Sequence, residues 1–222
     1  MCKKTLLTLA VLALASVTAF AASKDGVITS KDGRKTIATE RAKSFTPFVP
    51  GKDPVIYGNF AIKYPDGVYW CCEGGTISGP NSVLATEYWE AAGFTPSADV
   101  NVTKIKVAVG YVTGTTTDVI LSLNEDASGI PGNVIKKWKV KNLNTFGSCC
   151  TVESKSGSIA VTAGVPYWVV VSTEATSDIW AAWNIDDTLQ LPTDAIPSAY
   201  YTGGVWTGYQ GYPGFAFEVD GK

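Results

Sequence analysis

The last part of the chain concentrates aromatic side chains among small and polar residues. A flat ring can cover the C–H face of a sugar while neighbouring amide and carboxylate groups accept hydrogen bonds from its hydroxyls. This pattern predicts a glycan-binding face, whose candidate ligand-binding residues are Trp180, Trp183, Tyr201, Trp206, Tyr209 and Tyr212. The alternative interpretation is that these rings fill the interior of a β-sandwich. Burial distinguishes the two, because a ring in the core cannot meet a ligand.

The sequence contains no His, which removes several kinds of chemistry. A Ser-His-Asp or Cys-His nucleophile, a His-ligated zinc ion and an imidazole acid or base are all excluded. The available carboxylates include Glu73, Glu87, Glu90 and Asp178, but no spacing pairs two of them as a glycosidase requires. A carboxylate-dependent hydrolase is therefore kept as an alternative, and no catalytic residue is assigned. No cofactor and no metal ligand is predicted.

Four cysteines form two adjacent pairs, Cys71-Cys72 and Cys149-Cys150. In an exported chain they are expected to form disulfides. Adjacent cysteines lack the two-residue spacer that lets both sulfurs face one zinc ion, which disfavours a metal site. An antiparallel approach would join Cys71 to Cys150 and Cys72 to Cys149, and a vicinal bridge within each pair, at a cost in ring strain, is the alternative. A bridge that closes about 80 residues stabilises the fold by roughly 4.5 kcal/mol in the chain-entropy model.

Residues 1–21 have the three parts of a secretory signal peptide. Two lysines supply the positive start, an apolar run extends from Leu6 to Ala15, and Ala19-Phe20-Ala21 supplies a small-residue cleavage site. The run is shorter than the roughly 20 residues that span a bilayer. We therefore expect cleavage after Ala21, no membrane span in the product, and a secreted or periplasmic location.

The charges are unevenly distributed along the chain. Removing two of the 18 basic residues with the signal leaves 16 against 20 acidic residues, a net charge of −4. Residues 156–221 contain no Lys or Arg and seven acids, so a polyanion would be repelled and nucleic acid is not an expected partner. Lys137, Lys139 and Lys141 alternate with apolar residues, which is typical of an edge strand whose lysines block the addition of further strands.

Beyond Val55 the chain consists of short β-branched and aromatic runs separated by Gly, Pro, Asn and Asp, which is typical of a β-sandwich or barrel. The run from Val165 to Val171 is apolar on both faces and predicts a central strand. Asn124-Glu125-Asp126 carries oxygens suited to calcium, but it is interpreted first as a hairpin turn. We predict an all-β fold, an antiparallel β-sandwich that is jelly-roll-like and disulfide-stapled. Its parts are a signal peptide (1–21), a polar basic extension that is partly disordered (22–54) and a single sandwich domain (55–222).

Several motifs occur in a characteristic order: YWCCEGGTISGP (69–80), VAVGYVTGT (107–115), SGIPG (128–132), FGSCC (146–150), TAGVPYWVVV (162–171), WAAWN (180–184) and GFAFEVDG (214–221). Together they resemble a bacterial family of secreted β-sandwich domains called choice-of-anchor domains, over residues 56–221. The resemblance implies an exported jelly-roll-like sandwich with no established enzymatic activity, often carried to the cell surface by an interchangeable sorting tail. No such tail is seen here, so surface anchoring is not expected. The family supplies no functional residues to transfer.

These features lead to one functional expectation with two alternatives. We expect an exported, non-catalytic binding module that recognises a glycan or another cell-surface polymer through its aromatic face. The first alternative is a structural protein of the envelope or extracellular matrix without a small ligand. The second is the carboxylate-dependent hydrolase.

Overall fold

The computed structural model describes residues 27–29, 34–38, 52–60, 73–148, 153–185, 197–209 and 214–222. These residues form β-strands and no helix, and so include no helical segment that would cross a membrane. In chain order the strands are β1 (Val27–Thr29), β2 (Lys35–Ala38), β3 (Val55–Gly58), β4 (Glu73–Ser78), β5 (Tyr88–Phe94), β6 (Val100–Val107), β7 (Val109–Thr113), β8 (Val119–Asp126), β9 (Pro131–Val140), β10 (Glu153–Val161), β11 (Tyr167–Ser172), β12 (Trp180–Asn184), β13 (Ser198–Thr202), β14 (Val205–Tyr209) and β15 (Phe217–Gly221).

The strands form two sheets, and every pair of these strands is antiparallel. The smaller sheet has the order β10-β6-β15-β3. The larger sheet follows β1-β2-β4-β5-β11-β8-β9, with β12 beside β4, β7 beside β12, β13 beside β5 and β14 beside β13. The prediction of an all-β, antiparallel fold is confirmed.

One hydrophobic core is shared by the two sheets. Ile105 and Val219 of the smaller sheet belong to the same buried cluster as Leu121 and Val169 of the larger sheet. Successive side chains of a strand point to opposite faces, so Val170 lies on the side of the larger sheet that turns away from this core. We call that side the outer face.

β11 is the central strand that its apolar residues predict. It lies between β5 and β8, and all of its residues are buried. Val169 and Val171 face the core, whereas Trp168 and Val170 pack against Ala199 on the outer face. Both faces of this strand are therefore covered.

Among the described strands, β9 lies at the edge of the larger sheet, in agreement with its pattern of lysines. Trp138 packs against the core, so Lys137 and Lys139 point to the outer face. β8 and β9 are joined by a turn in which the carboxylate of Asp126 accepts a hydrogen bond from the Gly129 N–H at 3.1 Å. A hairpin is present here, but the acidic run Asn124-Glu125-Asp126 forms the end of β8, and the turn follows it at residues 127–130.

A hairpin from the N-terminal segment extends the larger sheet. β1 pairs with β2, and β2 pairs with β4, with Thr36 opposite Gly75. Ile37 is buried against Phe146 and Trp180. Residues 22–54 thus contribute two strands to the fold, and much of the remaining extension lies outside the described residues.

The smaller sheet buries an ion cluster on its side away from the core. The Lys106 ammonium lies 2.8 Å from Asp220 Oδ2 and donates a hydrogen bond to Glu218 Oε1. All three side chains are at most 6% exposed. Burial raises the pKa of Glu218, and the contact with Lys106 opposes that rise. The cluster keeps these buried charges paired, because an unpaired buried charge is costly.

Candidate functional site

The outer face of the larger sheet carries two stacked aromatic rings. Trp89 of β5 and Tyr201 of β13 lie directly opposite each other. Their ring centroids are 4.2 Å apart and their planes differ by 11°. The indole Nε1 of Trp89 also donates a hydrogen bond to Thr173 Oγ1 at 3.3 Å. The Trp89 ring is therefore fixed by a ring on one face and a hydroxyl at its edge, while it stays partly exposed.

A turn of two glycines brings a second indole beside the first. Gly203 and Gly204 join β13 to β14 with φ values of 59° and 87°. A two-residue hairpin turn requires such left-handed values, which glycine adopts without strain. The turn sets Trp206 opposite Tyr201, and its ring centroid lies 6.4 Å from that of Trp89 with a tilt of 55°. Trp89 and Trp206, which we call the indole pair, form a partly exposed corner.

A groove of about 320 Å³ lies between the indole pair and β9. Trp89 and Trp206 line one side of it, Val134 and Lys137 line the other, and Val170 contributes to the floor between them. This volume lies at the lower end of the roughly 300–1,000 Å³ typical of small-molecule sites.

The floor of the groove is polar and is held by its own hydrogen bonds. The Ser122 hydroxyl donates to Asn124 Oδ1 at 2.8 Å, and Asn124 Nδ2 donates to the Gly132 carbonyl at 2.9 Å. Ser122 and Asn124 are both buried. Because its proton is already donated, Ser122 offers acceptor lone pairs to the groove.

Two charged side chains line the groove. Glu174 lies just beyond the end of β11 and follows Thr173, the hydrogen-bond partner of Trp89, and Lys137 lies on β9. Both are exposed. Lys139 also points to the outer face, but it does not line the groove and pairs with Asp118 at 3.5 Å.

The same strands bury a carboxyl group on the core-facing side behind the indole pair. Glu90 is 1% exposed, and its Oε2 has no hydrogen-bond partner within the described residues. The Tyr88 and Tyr200 rings stack with centroids 5.5 Å apart, and Tyr209 lies 6.1 Å from Tyr200. Burial raises the pKa of Glu90 well above its ordinary value, and the Arg34 guanidinium partly opposes that rise. The surroundings therefore favour the protonated, uncharged form of Glu90.

No protein-family model, no curated protein and no solved structure matches this chain. The function is therefore inferred from the geometry of the groove. Its deciding elements are the indole pair, the hydrogen-bonded floor and the two charged residues on its sides.

The structure separates the aromatic residues that the sequence selects. Trp206 lines the groove, and Tyr201 supports Trp89 from behind without lining it. Tyr209 points to the core-facing side, where burial raises the pKa of its hydroxyl. Tyr212 lies outside the described residues, so its role stays a prediction.

Trp180 and Trp183 lie in the interior, not on a binding face. They are 3% and 0% exposed, because β12 is flanked by β4 and β7. Trp183 stacks on Phe215 at 4.8 Å and donates from Nε1 to the Ala216 carbonyl at 2.9 Å, while Trp180 packs against Phe146. Both rings are therefore core residues, as the alternative interpretation expects, and they are not part of the candidate site.

The four predicted disulfide cysteines, Cys71, Cys72, Cys149 and Cys150, lie outside the described residues. Their pairing, antiparallel or vicinal, stays a prediction. Among the residues that the structure describes, no three of His, Cys, Asp and Glu group together as a metal site would require.

Asp178, one of the acids considered for catalysis, acts as a structural link. Its carboxylate accepts hydrogen bonds from the backbone N–H and the hydroxyl of both Thr115 and Thr116, at 2.6–3.0 Å. These bonds hold the pKa of Asp178 below its ordinary value. They tie the loop after β7 to the segment before β12.

Sequence reasoning missed Trp89 and Lys137 as groove residues. The available signal for Trp89 was the alternation in β5, where Ala91 and Gly93 follow it on the same face and leave room above the sheet. The alternating lysines that include Lys137 can be interpreted as a phosphate-binding stripe, but the edge-strand interpretation is favoured. The neighbour of Lys137 across the sheet, Ser122, shows that this lysine faces the groove.

Proposed function

We propose that the protein is an exported, non-catalytic binding module that recognises a glycan through the groove on its outer face. The observation that carries this proposal is the position of Trp89. Its indole stacks on Tyr201, is anchored at its edge by Thr173, and borders the groove. A sugar whose C–H face packs on the indole pair would meet hydroxyl and carboxylate acceptors nearby.

The fixed position of the indole favours binding energetically. Immobilising a side chain on binding costs about 0.5–1.5 kcal/mol. For Trp89 part of that cost has been met by folding, because Tyr201 and Thr173 already hold the ring. The Ser122–Asn124 network likewise orders the floor before a ligand arrives.

Finer features of the fold and location are proposed on the strength of the sequence. The resemblance to choice-of-anchor domains supports a jelly-roll-like sandwich, with which two antiparallel sheets around one core are compatible. The paired cysteines support a disulfide staple. The signal peptide supports a secreted or periplasmic location.

The proposal is tested with the mature protein, residues 22–222, on a glycan array, followed by tryptophan-fluorescence titration of the best ligand. Trp89→Ala should weaken binding by about tenfold, the equivalent of about 1.4 kcal/mol lost from a ring contact. Trp138→Ala is the matched control, because it removes an indole from the core-facing side of β9. Thermal unfolding of each variant shows whether its fold is retained.

Three outcomes would count against the proposal. Uniform absence of binding on the array would leave the structural envelope alternative ahead. Equal affinity of wild type and Trp89→Ala would remove the groove as the site. Release of reducing sugar ends by the wild type, lost in Glu174→Gln, would favour a hydrolase instead.

A further inference from the structure

Three hydrogen-bond donors beside the groove are committed to neighbouring protein groups. The Trp89 indole donates to Thr173, the Ser122 hydroxyl donates to Asn124, and the Asn124 amide donates to the Gly132 carbonyl. A hydroxyl that has donated its proton can only accept from a ligand. The Trp89 N–H and the Ser122 hydroxyl proton are therefore not available to a ligand, whereas the Ser122 oxygen can accept a hydrogen bond.

Lys137 is the charged donor that lines the groove. It lies three strands from Trp89, across β11 and β8, which is roughly 14 Å along the sheet at about 4.8 Å per strand. Within the described residues Lys137 forms no ion pair, whereas Lys139 is paired with Asp118. An acceptor on a bound ligand, above all an anionic one, would be attracted to Lys137.

Glu174 limits where such an anion can lie. It lines the groove and directly follows Thr173, the hydrogen-bond partner of Trp89, whereas Lys137 lies on β9. Its carboxylate accepts hydrogen bonds from sugar hydroxyls and repels a second anion nearby. A polymer with an acid on every unit would bring a charge against Glu174, whereas a polymer that alternates neutral and acidic units would not.

From this arrangement we infer that the groove takes a glycan in which a neutral sugar, packed on Trp89, adjoins a sugar whose acidic substituent, carboxylate or sulfate, lies against Lys137. The inference rests on the proposed glycan-binding function and names its ligand class. Lys137 is exposed, so the gain from its charge should be modest and should decrease with salt.

The test uses titration calorimetry of the mature protein with three matched oligosaccharides. The first alternates glucuronic acid with N-acetylglucosamine, the second is the same chain with its carboxyls reduced to alcohols, and the third is the reduced chain carrying sulfate. We expect about fivefold tighter binding of an acidic chain than of the neutral one at low salt. Comparison of the carboxylate and sulfate chains identifies which anion is preferred.

Two variants distinguish the effect of a lysine inside the groove from the effect of the net charge of the protein. Lys137→Gln should abolish the preference for the acidic chain, whereas Lys139→Gln, an equal change of charge outside the groove, should retain it. The inference is overturned if Lys137→Gln keeps the preference, or if neutral and acidic chains bind the wild type equally. If neutral and acidic chains bind equally but Trp89→Ala weakens both, the proposed glycan-binding function still holds. Absence of binding by all three chains overturns the inference, and the glycan array then decides the proposed function.

Discussion

Trp89 and Tyr201 lie opposite each other on β5 and β13, and their stacked rings join the two strands on the outer face. The pair makes Tyr201 a support for the groove without lining it. Each ring therefore has a different function, and the two can be separated by mutation.

Tyr201→Ala should cost about 1 kcal/mol of folding free energy, because an aromatic pair contributes about 0.5–1.5 kcal/mol beyond burial. It should also weaken glycan binding several-fold, since Trp89 loses the ring that holds it. Tyr201→Phe keeps the ring and should change neither quantity appreciably. Urea unfolding and fluorescence titration measure the two effects, and equal results for the Ala and Phe variants would contradict a supporting role.

Glu90→Gln should stabilise the protein more at pH 8 than at pH 4. The folded-state pKa of Glu90 is raised, so between its ordinary and folded pKa values the folded state binds more protons than the unfolded state. Glu90 therefore contributes stability that is fully present below its ordinary pKa and is lost as pH rises through the folded value. Gln carries no proton to lose and should escape this loss.

Urea unfolding of wild type and Glu90→Gln at pH 4, 6 and 8 measures this effect. The difference in unfolding free energy between the two proteins isolates Glu90, because other titrating groups are common to both. A difference that stays constant with pH would show that the pKa of Glu90 is the same in the folded and unfolded states, which would contradict a raised folded-state pKa.

Gly75→Ala should destabilise the fold by about 1–3 kcal/mol, as overpacking of a filled core does. A Cβ at position 75 would lie 2.8 Å from Glu90 Oε1 and would overlap the Phe215 ring. Gly208→Ala is the control, because its Cβ would meet neighbours only at 3.4 Å and beyond. Thermal and urea unfolding compare the two, and similar stabilities would mean that Phe215 moves aside without cost.

Lys106→Met should cost about 3–5 kcal/mol at neutral pH, because it leaves Glu218 and Asp220 buried without their cation. The deficit should shrink at low pH, where Glu218, whose pKa is raised by burial, becomes protonated. Lys104→Met is the control: Lys104 lies on the same strand opposite Asp220 but is more exposed. An equal cost for both variants would contradict the importance of the buried ion cluster.

Local patterns in the sequence predicted the fold class and several strands. The double-faced apolar run at Val165 to Val171 predicted a central strand, and the lysines beside Trp138 predicted an edge. Both depend on one strand's own residues, because a strand covered on two sides must be apolar on two sides.

The site was harder to predict, because it depends on strands that are distant in the chain. Trp89 gains its partner from β13, more than a hundred residues later in the sequence. The same limit explains Trp183: it is buried because β12 has a neighbour on each side, whereas Trp206 lies on β14, which in the described part pairs only with β13. The amino-acid composition shows how many aromatic rings a segment has, but not how many neighbouring strands will bury them.

The turn between β13 and β14 has a consequence for engineering. Apart from their chain neighbours, no described residue lies within 4 Å of the point where a side chain would begin at Gly203 or Gly204. A longer loop grafted between Thr202 and Val205 would extend into solvent near Trp206 without entering the core. Libraries of such loops offer a way to evolve new ligand ranges on this scaffold while the buried strands stay unchanged.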